Sequence, residues 1–506
     1  MSFKNTKFFQ VIKLFIKKLT TPWNSISEKM IKGSFWVFSL RIADRVFLLV
    51  KTIILSRLLS PNDFGMFGVA LLVLSVFGTF TQTGSQQALI QKKDDIKSYL
   101  NTAWTIGLVR GFLIAIVVFF LAKPAAIFFG TPNAELILRI IGLSVIFQSL
   151  SNIGILYYNK ELEFQKFFKY QFLGTIAEVS FSIIAVFFLK SVWALVIGML
   201  VGELVKCIMS YVINSYRPRF QFNRHQAREL FRFGKWIAGS SILIFLIING
   251  DDIFVGKMLG VVILGFYQIA YKISNTPTTE ITFVISQVSF PAYTKLQDDL
   301  PKLRDIFLLV IKLTAFISFP MAAFIFIFAS EFTMLFLGEK WMPIVPAMKI
   351  LVIAGALRSL VASTCSLFRA IGHPRIETLW QIVRFLVIAG LIYPLTTRYG
   401  ITGTSITILI STFISLIGFG FGALRKTKCS IDNLNRPVLL PLLNGAIIIA
   451  IIYCLKFFIN AATFSGFFAL LAIGIVFFII INYLFDKFFN YEIVSTIKKS
   501  FSAFIN

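Results

Sequence analysis

Apolar residues in this chain gather into long, nearly unbroken runs separated by short polar gaps. The runs fall at 34–58, 64–88, 101–122, 133–158, 170–189, 191–215, 236–258, 262–290, 303–329, 343–368, 375–395, 399–424, 437–457 and 463–485. An α-helix rises 1.5 Å per residue, so about 20 apolar residues cross the hydrocarbon core of a bilayer. Barrel strands would be runs of about 10 residues with alternating polarity, and these are longer and continuously apolar. Only helices and closed barrels satisfy every backbone group in lipid. The pattern therefore predicts an all-α polytopic membrane protein of about 14 transmembrane helices. Composition agrees, with 57% apolar residues and a mean hydropathy of +0.83.

Charge adds orientation. With residues at run ends counted in the flanks, 31 of the 49 Lys and Arg lie in the N-terminal segment, the gaps after even-numbered runs and the C-terminal tail. The other gaps hold seven: Arg57, Lys123, Lys190, Lys257, Lys340, Arg398 and Lys456. The positive-inside rule places both termini in the cytoplasm. The net charge of +26 is then a topology signal and a match to anionic lipid. Nucleic-acid binding is not expected, because the basic residues are scattered over many short loops. Residues 7–18 (KFFQVIKLFIKK) predict either a basic amphipathic helix on the cytoplasmic leaflet or a disordered leader, and no cleavable signal peptide is read there. The four cysteines form no external pair and the two histidines no cluster, so neither a disulfide framework nor a metal site is expected.

The chain echoes itself across the basic gap at 216–235. A shift of 200 aligns Trp36 with Trp236, Arg57 with Lys257, Leu59 with Leu259, Gly65 with Gly265 and Ala70 with Ala270. A shift of 208 aligns IFFG at 127–130 with LFLG at 335–338, and a shift of 210 aligns QSL at 148–150 with RSL at 358–360. Six runs per copy, an even number, give both copies one orientation: a parallel repeat, as in transporters built of two bundles. The expected organisation is a leader at 1–33, an N-lobe at 34–215, an inter-lobe loop at 216–235, a C-lobe at 236–424, two additional helices within 437–485 and a tail at 486–506.

Eleven cations remain inside runs: Arg41, Arg45, Lys51, Arg110, Arg139, Lys206, Lys272, Lys312, Lys349, Arg358 and Arg384. A cation at mid-membrane costs about 2.5–3.5 kcal/mol on insertion scales. It must face a wet cavity, pair with an acid or snorkel. The acids in runs are fewer, namely Asp44, Glu178, Glu203, Asp251, Asp252 and Glu280. A cavity lined by this set is net cationic and suits an anionic passenger. Arg41, Asp44, Arg45 and Lys51 share one arc of the first helix. They can draw in a phosphate with Asp44 orienting the arginines, or they can staple helices. Lys272 and Glu280 flank a Pro277 kink that can be a ligand site or a packing feature. Arg358 and Arg384 are candidate cavity residues. Asp251 and Asp252 are candidates for proton or sodium coupling, or for solvating an external vestibule or pairing with Lys257, and adjacent acids point about 100° apart. Glu203 and Lys206 read as a structural i, i+3 pair. The polar run TQTGSQQ at 81–87 can line a cavity or bind sugar hydroxyls.

The segment at 54–95, through Arg57, Leu59, Pro61, Phe64, Gly65, Gly84 and the ALIQ at 88–91, resembles the entry to the polysaccharide transporter, or oligosaccharide flippase, family. That family belongs to the superfamily of multidrug, oligosaccharidyl-lipid and polysaccharide exporters. The resemblance implies two six-helix lobes forming a V, with two extra C-terminal helices, in a bacterial cytoplasmic (inner) membrane. It implies alternating-access transfer of an undecaprenyl-diphosphate-linked oligosaccharide for surface polysaccharide biosynthesis, alongside polymerase and glycosyltransferase machinery. Members often carry an acid near the end of the second helix, where this chain has Gln82 and Thr83, which argues against ion coupling at that point. No cofactor is implied. A cation-coupled multidrug exporter is the alternative, but it should favour an acidic cavity. An enzyme would need larger loops than the roughly 20 residues of the longest one here.

Overall fold

The structure is a computed structural model that describes residues 26–82, 89, 96–160, 163–489 and 491. The sequence expectations for the leader at 7–18, for most of the polar run at 81–87 and for the tail beyond 491 lie outside the described residues. Among the described residues all regular structure is helical. The helices are α1 (Ile26–Leu58), α2 (Pro61–Phe80), α3 (Lys97–Phe128), α4 (Ala134–Leu150), α5 (Ile155–Lys160), α6 (Phe164–Leu189), α7 (Trp193–Ile213), α8 (Arg224–Met258), α9 (Val261–Lys295), α10 (Leu300–Phe332), α11 (Val345–Ala370), α12 (Pro374–Thr427), α13 (Asp432–Leu455) and α14 (Phe464–Phe489). A π-helical turn (Thr333–Leu337) and a 3-10 turn (Glu339–Ile344) join α10 to α11.

Among the described residues each predicted run lies largely on helix, with 133–158 divided between α4 and α5. Nine helices are long and apolar enough to cross a membrane by length and composition, among the described residues. Among the others, α4 has 17 residues and α1 carries Arg41, Asp44, Arg45, Lys51 and Arg57. Two predicted runs, 375–395 and 399–424, share the 54 residues of α12. They bend at Gly400, whose φ of 59° lies in the left-handed region that only glycine enters cheaply. Across the bend the Thr396 and Thr404 hydroxyls lie 2.8 Å apart.

The chain forms two compact units. Unit 1 comprises Met1–Thr52, Phe77–Ala122 and Leu136–Ser241. Lipid tails are as apolar as leucine, so helices associate through close packing and interhelical hydrogen bonds. In unit 1, α6 and α7 pack through small residues: a Cβ at Gly198 would run into Ser182, and one at Gly202 would lie 2.7 Å from the Glu178 Cβ. Leu100, Ala103, Ile106, Ala227 and Leu230 form an apolar cluster between α3 and the start of α8.

Unit 2 comprises Ile53–Val76, Lys123–Glu135 and Ile242–Asn506. It therefore includes the α1–α2 and α3–α4 turns as well as the second repeat. One apolar cluster joins α10, α11 and α12 through Phe307, Ile311, Phe319, Leu360, Phe368 and Phe419. A second seats the additional helices α13 and α14 on α10 through Ile327, Phe328, Ile448, Ile452, Phe467 and Leu470. Polar ties run through both. Buried Thr314 and Ser363 share a 2.9 Å hydrogen bond, and Lys456 donates to Glu331 at 2.6 Å and to the Ile327 carbonyl.

Candidate functional site

Four helices of unit 2 bring charged and polar side chains into one interior cluster. Asp251 and Asp252 come from α8, Tyr267, Gln268 and Tyr271 from α9, Arg358 from α11 and Arg384 from α12. Asp251 is 3% exposed and accepts from the Tyr267 hydroxyl at 2.7 Å. Its other oxygen accepts from the Asp252 backbone N–H at 3.0 Å. Asp252 accepts from the Gln268 amide at 3.4 Å. The two acids thus meet two consecutive residues of one neighbouring helix, although their side chains diverge on α8. Neither takes the pairing with Lys257 that sequence proximity offered, because Lys257 donates to the Phe128 carbonyl.

Tyr271 lies one helical turn beyond Tyr267, with ring centroids 6.1 Å apart. Its hydroxyl accepts from Arg358 Nη1 at 2.5 Å. Arg384 is 9% exposed and lies within electrostatic reach of Arg358, Tyr271 and Asp251. The arginines are not saturated. Nε and Nη2 of Arg358 and Nε of Arg384 are buried without a hydrogen-bond partner, as is Oδ1 of Asn275. Asn275 sits where α9 crosses α11, in van der Waals range of Gly355. Buried N–H groups left unpaired cost about 1–3 kcal/mol each, and an acceptor placed there would offset that cost. Lys272 is exposed and Glu280 half-buried on the same helix.

The first-helix cluster lies in unit 1 and is partly neutralised. Lys51 donates to Glu178 of α6 at 2.7 Å, with 8% and 23% of the two side chains exposed. Asp44 bonds Thr175, also of α6, and faces Arg45 and Lys206. Its Oδ1 is buried without a hydrogen-bond partner. Arg41 is half-buried and Arg45 exposed. Glu203 and Lys206 form the expected i, i+3 pair at 2.8 Å. Arg110 caps the end of α2 through the Gly78 carbonyl at 2.5 Å and the Thr81 hydroxyl at 3.0 Å, and the Arg139 guanidinium lies 5.0 Å from the Phe119 ring centroid. Sequence reasoning missed Tyr267, Gln268 and Tyr271. Their signal was the i, i+4 tyrosine pair followed by Asn275 on one face of α9, lost among 14 Tyr and 58 Phe.

A family model described as "Polysaccharide biosynthesis protein" matches residues 54–346. The chain belongs to that polysaccharide biosynthesis family. The lipopolysaccharide biosynthesis protein WzxC of Escherichia coli (strain K12) is 25% identical over 371 residues, covering 73% of this chain and 75% of that protein. The succinoglycan biosynthesis transport protein ExoT of Rhizobium meliloti (strain 1021) is 22% identical over 377 residues, covering 74% of this chain and 75% of that protein. Among solved structures, the lipid II flippase MurJ in an inward closed conformation matches with a TM-score of 0.72 and 16% identity. The match covers 90% of this chain and 99% of that one. That likeness establishes the polytopic helical fold. Within this polysaccharide biosynthesis protein the matched stretch contains Asp251, Asp252, Tyr267 and Tyr271. It begins after Lys51 and ends before Arg358 and Arg384, so the roles of these cations rest on geometry.

Proposed function

We propose that this family member is a flippase that moves a lipid-linked, diphosphate-bearing oligosaccharide across the bacterial cytoplasmic membrane for surface polysaccharide assembly. The observation that carries the reading is the pair of buried arginines, Arg358 and Arg384, with three guanidinium N–H positions lacking an acceptor. Guanidinium is the side chain best matched to phosphate or carboxylate oxygens, because its fork binds two at once. A lipid-linked saccharide supplies such oxygens on its diphosphate or on acidic sugars, while its tail can stay in lipid. Transfer across the membrane makes and breaks no covalent bond, and this reading assigns no catalytic residue. WzxC and ExoT are named for polysaccharide biosynthesis, the latter as a transport protein. An exporter of organic cations would instead need an acidic interior.

In this reading Arg41, Arg45, Lys51 and Lys272 contribute to the cationic path. Asp44 and Glu280 orient charge, and Asp251 with Asp252 exchange a proton or a sodium ion. Both termini face the cytoplasm, where glycosyltransferases make the substrate, and a polymerase receives it outside. The test is a reconstituted assay that follows an undecaprenyl-diphosphate-linked oligosaccharide across proteoliposomes. Parent protein should flip it, and Arg358→Ala with Arg384→Ala should slow flipping about a hundredfold, taking roughly tenfold per lost charged contact of about 1.4 kcal/mol. Flipping by the double variant at the parent rate would remove the arginines from the site. A parent that moves organic cations and no lipid-linked saccharide would overturn the reading.

A further inference from the structure

The repeat equivalences at 57/257, 65/265 and 128/336 meet in space, and they meet reciprocally. Arg57, in the last turn of α1, donates from Nε to the Phe336 carbonyl at 2.9 Å and from Nη2 to the Met334 and Leu335 carbonyls. Lys257, in the last turn of α8, donates from Nζ to the Phe128 carbonyl at 2.9 Å. Phe128 ends α3, and Phe336 is the penultimate residue of the π-helical turn after α10. Each is followed two residues later by a positive-φ glycine, Gly130 or Gly338. So each repeat's cation caps the end of the other repeat's third long helix, where unpaired carbonyls gather about half a negative charge.

Backbone contact repeats the exchange. A Cβ on Gly65 would run into the Val261 carbonyl oxygen, and a Cβ on Gly265 would run into that of Pro61. Positions 61 and 65 of one repeat thus touch 261 and 265 of the other, in both directions. Every residue named belongs to unit 2, at the loop ends that the charge count assigns to the outer face.

The two halves are unequal. On the Arg57 side, Lys340 Nζ caps α1 through the Arg57 carbonyl at 3.0 Å and the Leu59 carbonyl at 2.6 Å. Trp341 is fully buried, donates from Nε1 to the Ser56 carbonyl at 2.9 Å and lies edge-on to Phe64 and Phe266. The repeat-equivalent positions, Pro132 and Asn133, are exposed. On the Lys257 side the Phe128 ring lies beneath the ammonium, 4.5 Å from Nζ to its centroid.

We infer that these contacts are a reciprocal outer latch, which holds the outer ends of the two repeats together and parts once per transport cycle, its strong half at Arg57, Lys340 and Trp341. The word cycle rests on the flippase reading, but the latch itself can be read without cargo. The probe is Ser56→Cys, beneath Trp341, in a chain whose four native cysteines are replaced by serine. The readout is its labelling rate by a membrane-impermeant maleimide added from outside. The parent should label slowly. Arg57→Ala should raise the rate about tenfold, Lys257→Ala by less, and Arg57→Lys should keep most of the protection, since an ammonium still reaches the carbonyl. Gly65→Ala touches neither cation and should also raise labelling, so the test survives if Arg57→Ala fails to fold. Unchanged labelling in folded Lys257→Ala and Gly65→Ala would overturn the latch, whatever the protein transports. Raised labelling in the variants, together with a parent that flips no lipid-linked saccharide, would keep the latch and remove the flippase reading.

Discussion

Lys51 and Glu178 show how one side chain decides another's meaning. They lie 127 residues apart in the chain, so composition alone leaves both as unexplained charges. The fold turns them into a mostly buried ion pair at 2.7 Å. Removing one partner of such a pair strands the other charge and costs about 3–5 kcal/mol, whereas replacing both with apolar residues is often neutral. Lys51→Met or Glu178→Met is therefore expected to lower the melting temperature in detergent clearly, and the double variant to recover most of it. A double variant as unstable as the singles would show that the pair does more than neutralise itself. Arg358 is the opposite case. It has one partner, Tyr271, and two buried N–H positions without one. Tyr271→Phe removes that one acceptor, so flipping should fall about tenfold, a loss near 1.4 kcal/mol, while thermal stability should change far less. That Arg358 lies in a helix was legible from apolar run length. That a tyrosine on another helix would take its hydrogen bond was not, because no local period encodes a partner 87 residues away.

At the scale of elements, run length and turn signals located the helices but not their joints. Two runs of about 20 residues predicted two spans, and α12 does consist of two helical stretches that meet at Gly400, whose φ and ψ are not helical. A hydropathy average cannot place the break when the intervening Thr396-Thr397-Arg398 is so short. An alanine at φ 59° would be strained by about 1 kcal/mol or more. Gly400→Ala is thus expected to lower the melting temperature by a few degrees, and Gly390→Ala, with open space at its Cβ and an ordinary helical φ, to leave it unchanged or raised. Equal effects at the two positions would mean that the bend does not depend on the left-handed residue. The α8–α9 pair carries a related lesson. Helical geometry alone set Asp251 and Asp252 on diverging directions, yet α9 packs so that Tyr267 and Gln268 reach one each. The angle between two side chains on one helix constrains their site only when the neighbouring helix is also known.

For the whole molecule, the repeat and the compact units are different divisions, and the difference has a physical source. Sequence equivalence follows the chain, so it separates the first repeat from the second at 216–235. Compactness follows contacts, and unit 2 includes Ile53–Val76 and Lys123–Glu135 from the first repeat, because the α1–α2 and α3–α4 turns pack on second-repeat residues. The loop charges speak at this scale because they follow a rule of insertion rather than of packing. By that rule the asymmetry of 31 to seven cations predicts the 216–235 segment inside and the Lys190 and Lys340 loops outside. A cysteine at Asn223 is then expected to resist an external impermeant maleimide until the membrane is opened, and one at Lys190 to react in intact cells. The Asn223 position carries more of the argument. Arg217, Arg219, Arg224 and Arg228 surround it, and each cation near an anionic leaflet contributes about 1 kcal/mol toward holding that loop on the cytoplasmic side. Replacing those four arginines with glutamine should therefore loosen the orientation and expose some Asn223→Cys to the outside, whereas the same change at the single-cation outer loops should not. External labelling of Asn223→Cys in the unaltered chain would reverse the topology, and with it the assignment of the Arg57–Lys340–Trp341 latch to the outer face.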